Sequence, residues 1–351
     1  MSIIRSFTGK VFYILLLAAA FVLLIYAFDF FLLVFASLLF AVLISYGANG
    51  LQNKTGMKYG LALVLVLLLM VGIIVLVVLL IGPSLSDQIA EMKKAIPEAL
   101  SSLKQRLEQT SWGQSLLDEI PDDPAKMVGD SSSAVSKITS VFSATLGVIA
   151  NIAIVLVTGI FLAADPALYR EGFVRLFPVG QRARMREVLI KCYLTLSSWL
   201  MAKFISMAIV GIATGVGLTL MGMPMAWALA LIAFLFAFIP NIGPYIALAP
   251  AVLIGLMQGN NMALYVLMLY FGIQIVESYL ITPLIEKKMV SIPPALMLLW
   301  QVLMGIFAGI AGLFLATPVL AACMVLVQEL YIKDKLERDE PGLISAEGGV
   351  N

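Results

Sequence analysis

The sequence predicts an all-α, polytopic membrane protein with about six full spans, two re-entrant helical hairpins and an extracytoplasmic amphipathic helical segment. Three observations carry that prediction: composition, the length of the uncharged runs, and two apolar stretches whose lengths do not suit one crossing. Of the 351 residues, 62% are hydrophobic and 12% charged, whereas soluble domains run nearer half apolar and a quarter charged. Mean hydropathy is +1.04. Residues 59–82 (YGLALVLVLLLMVGIIVLVVLLIG) carry no charge, and about 20 apolar residues cross a bilayer core.

Residues 1–82 hold the first three spans. Arg5 and Lys10 precede an apolar run from Val11 to Phe28, read as an uncleaved signal-anchor because no small-residue cleavage site follows. Asp29 marks a tight turn into a second run, Phe30 to Ala48, and 59–82 is the third. Residues 83–137 form the extracytoplasmic segment. There Leu85, Ile89, Met92, Ile96, Leu100, Leu103 and Leu107 advance by threes and fours, one helical stripe. Ser84 with Asp87 is a helix start signal, and Pro97 should kink or interrupt the helix. The stripe suits packing on the chain's own core or on a neighbouring subunit better than an independent substrate-binding domain, because so short a segment buries little.

Residues 138–331 read as a transport core. It opens with a fourth span, Ile138 to Ala164, followed by a cytoplasmic interfacial helix within 165–203. That segment sets Met185, Val188, Leu189, Cys192, Leu196 and Trp199 on one face and Arg182, Arg184, Arg186 and Lys191 elsewhere, a pattern suited to lipid head groups or to a solvated basic face. Further spans run from Phe204 to Met223 and from Met262 to Thr282; glycines 211, 215 and 217 suit close helix packing. Residues 332–351 are charged and then rich in small residues, and are expected to be a disordered cytoplasmic tail.

Charge sets the orientation. If the N-terminus is cytoplasmic, 16 of the 22 Lys and Arg fall on the cytoplasmic side, in agreement with the positive-inside rule. Segment 83–137 holds six basic and nine acidic residues on the opposite side.

That topology isolates the two unusual stretches. Within 226–257, the runs Ala226–Ile239 and Tyr245–Met257 are too short to cross, and "FIPNIGP" joins them. Pro240 biases its predecessor away from helix, Gly243 permits a turn and Pro244 suits a helix start. The pattern predicts a hairpin entering from outside, with Asn241, Gly243, Pro240 and Pro244 as candidate solute-binding positions at its tip; the alternative is a tight turn that Asn241 merely caps. Residues 295–331 are too long for one span, and Gly305, Gly309, Gly312 and Pro318 lie near their middle. They predict a second hairpin, entering from the cytoplasm, with those four residues as hinge or turn; two full spans with a tight outer turn satisfy the same parity.

Glu277, in "FGIQIVESYLITP", is the clearest intramembrane acid, with Gln274 one turn before it. Both are candidate solute or gate residues. The structural alternative pairs Glu277 with Lys203, Lys287 or Lys288. A Ser206–Lys203 dyad is conceivable, but nothing adjacent in sequence orients it. The chain has no histidine, which removes Ser-His and Cys-His catalysis and His metal sites. No phosphate-binding GxxxxGK[ST] motif occurs. Neither an enzyme, a cofactor nor a nucleic-acid partner is expected. A non-transporting scaffold is a further class.

"MGMPMAWALALIAFLFAFIPNIGPYIALAPAVLIGLMQG" (221–259), "VESYLITPLI" (276–285) and "GIFAGIAGLFLATPVLA" (305–321), in that order, resemble the signature of the autoinducer-2 exporter (AI-2E) family of bacterial transporters. The resemblance implies export of a small polar solute, autoinducer-2, a quorum-sensing signal, by movement of the hairpins. It also implies a homo-oligomer, with pentamers expected, in contact with membrane lipids of the bacterial inner membrane, both termini cytoplasmic. Some relatives are described as monovalent cation (Na⁺/K⁺)/proton antiporters, the alternative function, in which Glu277 would titrate. Relatives often have an aromatic residue where Asn241 stands and a histidine where Ile292 precedes Pro293.

Overall fold

The structure, a computed structural model, describes residues 27–108, 134–281 and 293–337. The signal-anchor, Lys287, Lys288 and the end of the tail lie outside those residues. In chain order the elements are α1 (Phe28–Thr55), α2 (Tyr59–Glu108), α3 (Ala134–Ala164), α4 (Pro166–Val174), a 3-10 turn (Val179–Gln181) and α5 (Arg182–Leu220). There follow α6 (Ala226–Phe236), α7 (Gly243–Gln258), α8 (Asn260–Val276) and α9 (Pro294–Leu326); α8 and α9 continue as π-helix over Glu277–Ile281 and Val327–Leu336. No strand occurs among the described residues. Among the described residues, six helices are long and apolar enough to cross a membrane. The protein is an all-α, multi-pass membrane protein, as its composition predicts.

The chain divides into two compact units: residues 47–148 with 194–291, and residues 1–46 with 149–193 and 292–351. In the first, α6 and α7 are 11 and 16 residues long, about 16 and 24 Å at helical rise against a hydrocarbon core of about 30 Å. They fold back on each other, and α2 packs on both. Leu85, Ile89, Met92 and buried Ala95 on α2 join the cluster that includes Ala228, Leu229, Ala233, Ala247, Ala251 and Ile254 of the two short helices. Leu85, Ile89 and Met92, the first three residues of the stripe read from the sequence, therefore dock on the chain's own hairpin.

Pro97 does not interrupt α2, which runs from Tyr59 to Glu108 through both Pro83 and Pro97. A proline removes one helical hydrogen bond and crowds the preceding turn; burial of Ala95 and Ala99 on either side of Pro97 holds the helix through that defect. α5 is likewise one helix where the sequence separates an interfacial segment from a span. The three glycines of its C-terminal half meet neighbours closely: a Cβ at Gly211 would fall 2.8 Å from Phe234, at Gly215 2.8 Å from Trp227, and at Gly217 2.6 Å from Leu269.

Helix α6 starts without a cap of its own. Met225 precedes it with φ 56° and makes no side-chain capping bond. Gln88 of α2 does that work from 139 residues away: its side-chain oxygen accepts the backbone N–H groups of Trp227 and Ala228, both at 3.1 Å. These are the amides that a local N-cap side chain would take.

In the other unit, α9 is bent back on itself. Ala308 (φ −134°, ψ 17°) and Gly309 (φ 55°, ψ −135°) are non-helical inside it, and the Gly309 conformation is accessible essentially to glycine alone. The Trp300 indole N–H donates to the Ala316 carbonyl at 2.9 Å, bridging the arms. A Cβ at Gly312 would overlap the Met304 carbonyl, and one at Gly305 would sit 3.1 Å from Leu313. Pro318 is buried in the second arm, away from the turn.

The charged end of α9 is tied to α5. Glu329, 5% exposed, accepts from Lys191 at 2.8 Å, Arg184 at 2.9 Å and Lys333 at 2.7 Å. Arg184 also grips both oxygens of Asp334 at 3.1 Å. These contacts carry helix through Leu336, past the point where the sequence suggests a disordered tail. The basic side chains read as facing head groups or solvent all bond within the unit: Arg182 donates to the carbonyls of Phe177 and Arg175, and Arg186 to Glu171 at 2.6 and 2.8 Å.

Replacing Gln88 with Leu removes two acceptor bonds from α6 and should destabilise the hairpin by about 1–2 kcal/mol, while Gln88→Glu keeps the acceptor. Hydrogen exchange at residues 226–230 reads the difference. The Arg186 guanidinium beside Glu171 lowers that carboxyl to about 2, from 4.5. A lowered folded-state value means that the pair's contribution is complete above about pH 4.5 and is lost as pH falls towards 2. Thermal unfolding of Glu171→Gln should therefore match wild type at the acid end and fall below it at neutral pH.

Candidate functional site

The α6–α7 tip closes by local bonds. Ile239 N–H donates to the Phe236 carbonyl (2.9 Å), Gly243 N–H to Ile239 (3.2 Å) and Ile242 N–H to Pro240 (2.8 Å). The last is a three-residue turn around Asn241, whose φ is 65°. Asparagine enters this left-handed region more readily than other side-chain-bearing residues, because its short amide bonds locally. The carbonyls at this tip thus already accept local bonds, each retaining a second lone pair.

Gly243 has a different job from turning the chain. A Cβ there would overlap the Phe236 carbonyl oxygen, so glycine lets the start of α7 lie against the end of α6. Pro244 follows in the first turn of α7, where its missing N–H costs nothing. Asn241 is exposed, Pro240 and Pro244 are half-buried and Gly243 is buried.

Below the tip lies a buried ionic cluster. Lys203, Ser206 and Glu277 are 7%, 0% and 7% exposed. The Ser206 hydroxyl donates to Glu277 Oε1 at 2.7 Å, and the Lys203 ammonium reaches the same oxygen at 3.4 Å. Lys203 and Ser206 are three apart on α5 and therefore share a face. Glu277 stands where α8 changes to π-helix, an irregularity common at functional sites. Among the described residues Glu277 is the one acidic partner of Lys203.

Trp199 and Phe238 connect tip and cluster. Their rings meet edge-on with centroids 5.5 Å apart, and Trp199 precedes Lys203 by one turn on α5. The structure thus gathers Pro240, Asn241, Gly243 and Pro244 at a tip that rests one helical turn from the Lys203–Glu277 pair. Gln274 is not part of that pair; its amide donates to Ser278 at 3.2 Å along α8. Gly305, Gly309, Gly312 and Pro318 belong to the α9 hairpin of the other unit, with Gly309 at the turn and Gly312 at the arm contact.

Sequence reading missed Gln88 and the Trp199–Phe238 contact, neither of which has a local signal. It also left two buried hydroxyls unremarked. Thr214 lies eleven residues from Lys203 and Tyr270 seven from Glu277, spacings that return to the same helix face. Their oxygens are buried and have no hydrogen-bond partner among the described residues.

Comparison with known proteins places this arrangement. Residues 11–332 match the model of the AI-2E family, described as "AI-2E family transporter". A candidate transport protein of Bacillus subtilis strain 168, YueF, is 25% identical over 252 residues, covering 69% of this chain and 68% of its own. A candidate transport protein of Mycobacterium tuberculosis (strain CDC 1551 / Oshkosh), MT0215, is 30% identical over 210 residues, covering 60% of this chain and 55% of its own. A third, YrrI of Bacillus subtilis strain 168, is 26% identical and shares 48% of this chain and 47% of its own. The chain therefore spans about two thirds of the first relative and about half of the other two.

Removing one member of the buried pair takes from the other its partner in that pair. Lys203→Met and Glu277→Leu should each cost about 3–5 kcal/mol, and the double substitution far less than their sum. Unfolding of the three purified variants in detergent measures that coupling.

Proposed function

The chain belongs to the AI-2E transporter family, and from that premise we propose that it exports a small polar organic solute, autoinducer-2 first among the candidates. The observation that carries the reading is the uncharged, amide-bearing tip of the α6–α7 hairpin. Non-helical backbone at membrane depth is tolerated where protein buries it or where it lines a polar cavity. Asn241 can donate to and accept from a hydroxylated solute, and Pro240, Gly243 and Pro244 hold it in place. The buried hydroxyls of Thr214 and Tyr270 add polar contacts suited to the same class of molecule.

In this reading α6–α7 is re-entrant from the outside of the bacterial inner membrane and the two arms of α9 enter from the cytoplasm. Both termini are cytoplasmic, and the protein works as a homo-oligomer among membrane lipids, a pentamer as the family resemblance implies. Gln88 supports the entry side assigned to α6, because it joins the segment just after α2's apolar run to the start of α6. Release of the tip from Trp199 would open the solute path, with Gln274 and Glu277 at its cytoplasmic end and the Gly305–Gly309–Gly312 set with Pro318 shaping the α9 hairpin's response.

The cation/proton antiporter alternative asks Glu277 to exchange a proton for a cation. Against it stands the Lys203 ammonium on that carboxylate. Proteoliposomes containing the purified protein and labelled autoinducer-2 test the choice. Solute flux should exceed that of empty vesicles, and Asn241→Ala should cut it roughly tenfold, about one hydrogen bond of 1.4 kcal/mol, with unfolding unchanged. No solute flux, together with cation-driven proton movement that Glu277→Gln abolishes, would reverse the assignment.

A further inference from the structure

We infer that α4 and the turn after it form a lipid-binding element lying in the head-group region of the bilayer, with Leu168, Tyr169, Phe173, Leu176 and Val179 turned toward lipid. Leu168, Tyr169, Phe173 and Leu176 advance by one, four and three residues and so share one side of the helix. All are exposed, Leu176 at 79%, and Val179 in the 3-10 turn is 77% exposed. The other side is occupied. Val174 is buried, and Glu171, three residues before it, accepts from Arg186 of α5 at 2.6 and 2.8 Å. Arg182 holds the turn by donating to the carbonyls of Phe177 and Arg175. The helix is thus fastened by its polar side with its apolar side outward, the reverse of a helix on a soluble surface. The face of α5 that the sequence suggests for head groups begins with Met185 and Val188, and both are buried.

The path of the chain identifies the occupant as lipid. Helix α3 is long and apolar enough to cross the membrane, and it ends at Ala164. Asp165 (φ −139°, ψ 76°) leaves the helical region and accepts the Leu168 N–H at 3.0 Å, and Pro166 opens the new helix. Proline disfavours helix in the residue before it, so α4 starts on an axis of its own, one residue past a span. At helical rise Leu168 lies about 6 Å from the end of α3, and head groups occupy about 6 Å on each side of the hydrocarbon. Exposed Val157 and Phe161 on the last turns of α3 bring apolar surface up to that level. An upright α4 would carry Leu176 and Val179 into water, whereas a helix lying along the surface keeps all five side chains at one depth, as interfacial helices do. A protein partner fits less well, since five side chains fall far short of the about 20–30 residues that each side of a stable interface supplies. Through the Glu171–Arg186 bonds, lipid held at α4 also fixes the depth of the start of α5. The element acts whatever solute crosses, so it stands apart from the transport reading.

Nitroxide labels introduced one at a time through Leu168→Cys, Phe173→Cys, Leu176→Cys and Ala167→Cys test the placement. The full-length protein carries serine at Cys192 and Cys323 and is reconstituted in phosphatidylcholine–phosphatidylglycerol vesicles. At positions 168, 173 and 176, collisions with oxygen, which concentrates in lipid, should exceed those with an aqueous nickel chelate severalfold. At Ala167, exposed on the other side of α4, the order should reverse. More collisions with nickel than with oxygen at the three face positions would put that face in water and overturn the inference. Labels immobilised and shielded from both reagents would overturn it as well, because protein then covers the face; dipolar broadening between labels would identify that protein as a second copy. If a cysteine variant does not fold, Leu168→Trp, Phe173→Trp or Leu176→Trp takes its place. Quenching beyond that of the wild-type tryptophans, by brominated lipid or by aqueous iodide, then decides under the same criteria.

Discussion

The structure depends on turning a helix back on itself within apolar sequence without stranding backbone polar groups. Lipid offers no hydrogen bonds, so every amide and carbonyl at such a turn needs a partner within the protein. Both reversals meet the demand in one way: a glycine in the returning arm lies against a carbonyl of the outgoing arm. Gly243 meets Phe236 in the α6–α7 hairpin, and Gly312 meets Met304 in the α9 hairpin. A side chain at either position would push the arms apart and expose the turn. The non-helical residues sit just before these contacts, Asn241 in one hairpin and Gly309 in the other.

Buried charge is the second constraint, and each unit handles it differently. Glu329 is surrounded by Lys191, Arg184 and Lys333, a well-satisfied carboxylate that fastens the last helix to the basic start of α5. Glu277 accepts from the Ser206 hydroxyl and lies 3.4 Å from the Lys203 ammonium. The former arrangement reads as structure, because its hydrogen bonds repay desolvation. The latter lies one helical turn from the hairpin tip.

Much of the fold was legible because lipid makes helix the cheapest state of a long apolar run. The lengths of Ala226–Ile239 and Tyr245–Met257 predicted two short arms, and α6 and α7 are separate short helices joined at the "PNIG" turn. The boundary at residue 203 was not legible: charge changes there while the helix of α5 continues, because a helix needs only its backbone bonds and cares little for the change from water to lipid. An interruption at Pro97 was over-read for a related reason, since docking of α2 outweighs one lost bond. The candidate site was half legible. Glu277 stood out as a deep acid and Lys203 as a possible partner, but bringing the two together needed the crossing of α5 and α8. Gln88 was hidden altogether, as capping from another helix leaves no mark near the cap.

In the proposed mechanism the α6–α7 tip moves during transport and is held at rest by Trp199 against Phe238. The most direct measurement of that movement is solute efflux from proteoliposomes after a short bifunctional thiol reagent links Trp199→Cys to Phe238→Cys, with Cys192 and Cys323 replaced by serine. Flux should stop in the linked protein and persist in the same variant left unlinked. Undiminished flux through fully linked protein would contradict it.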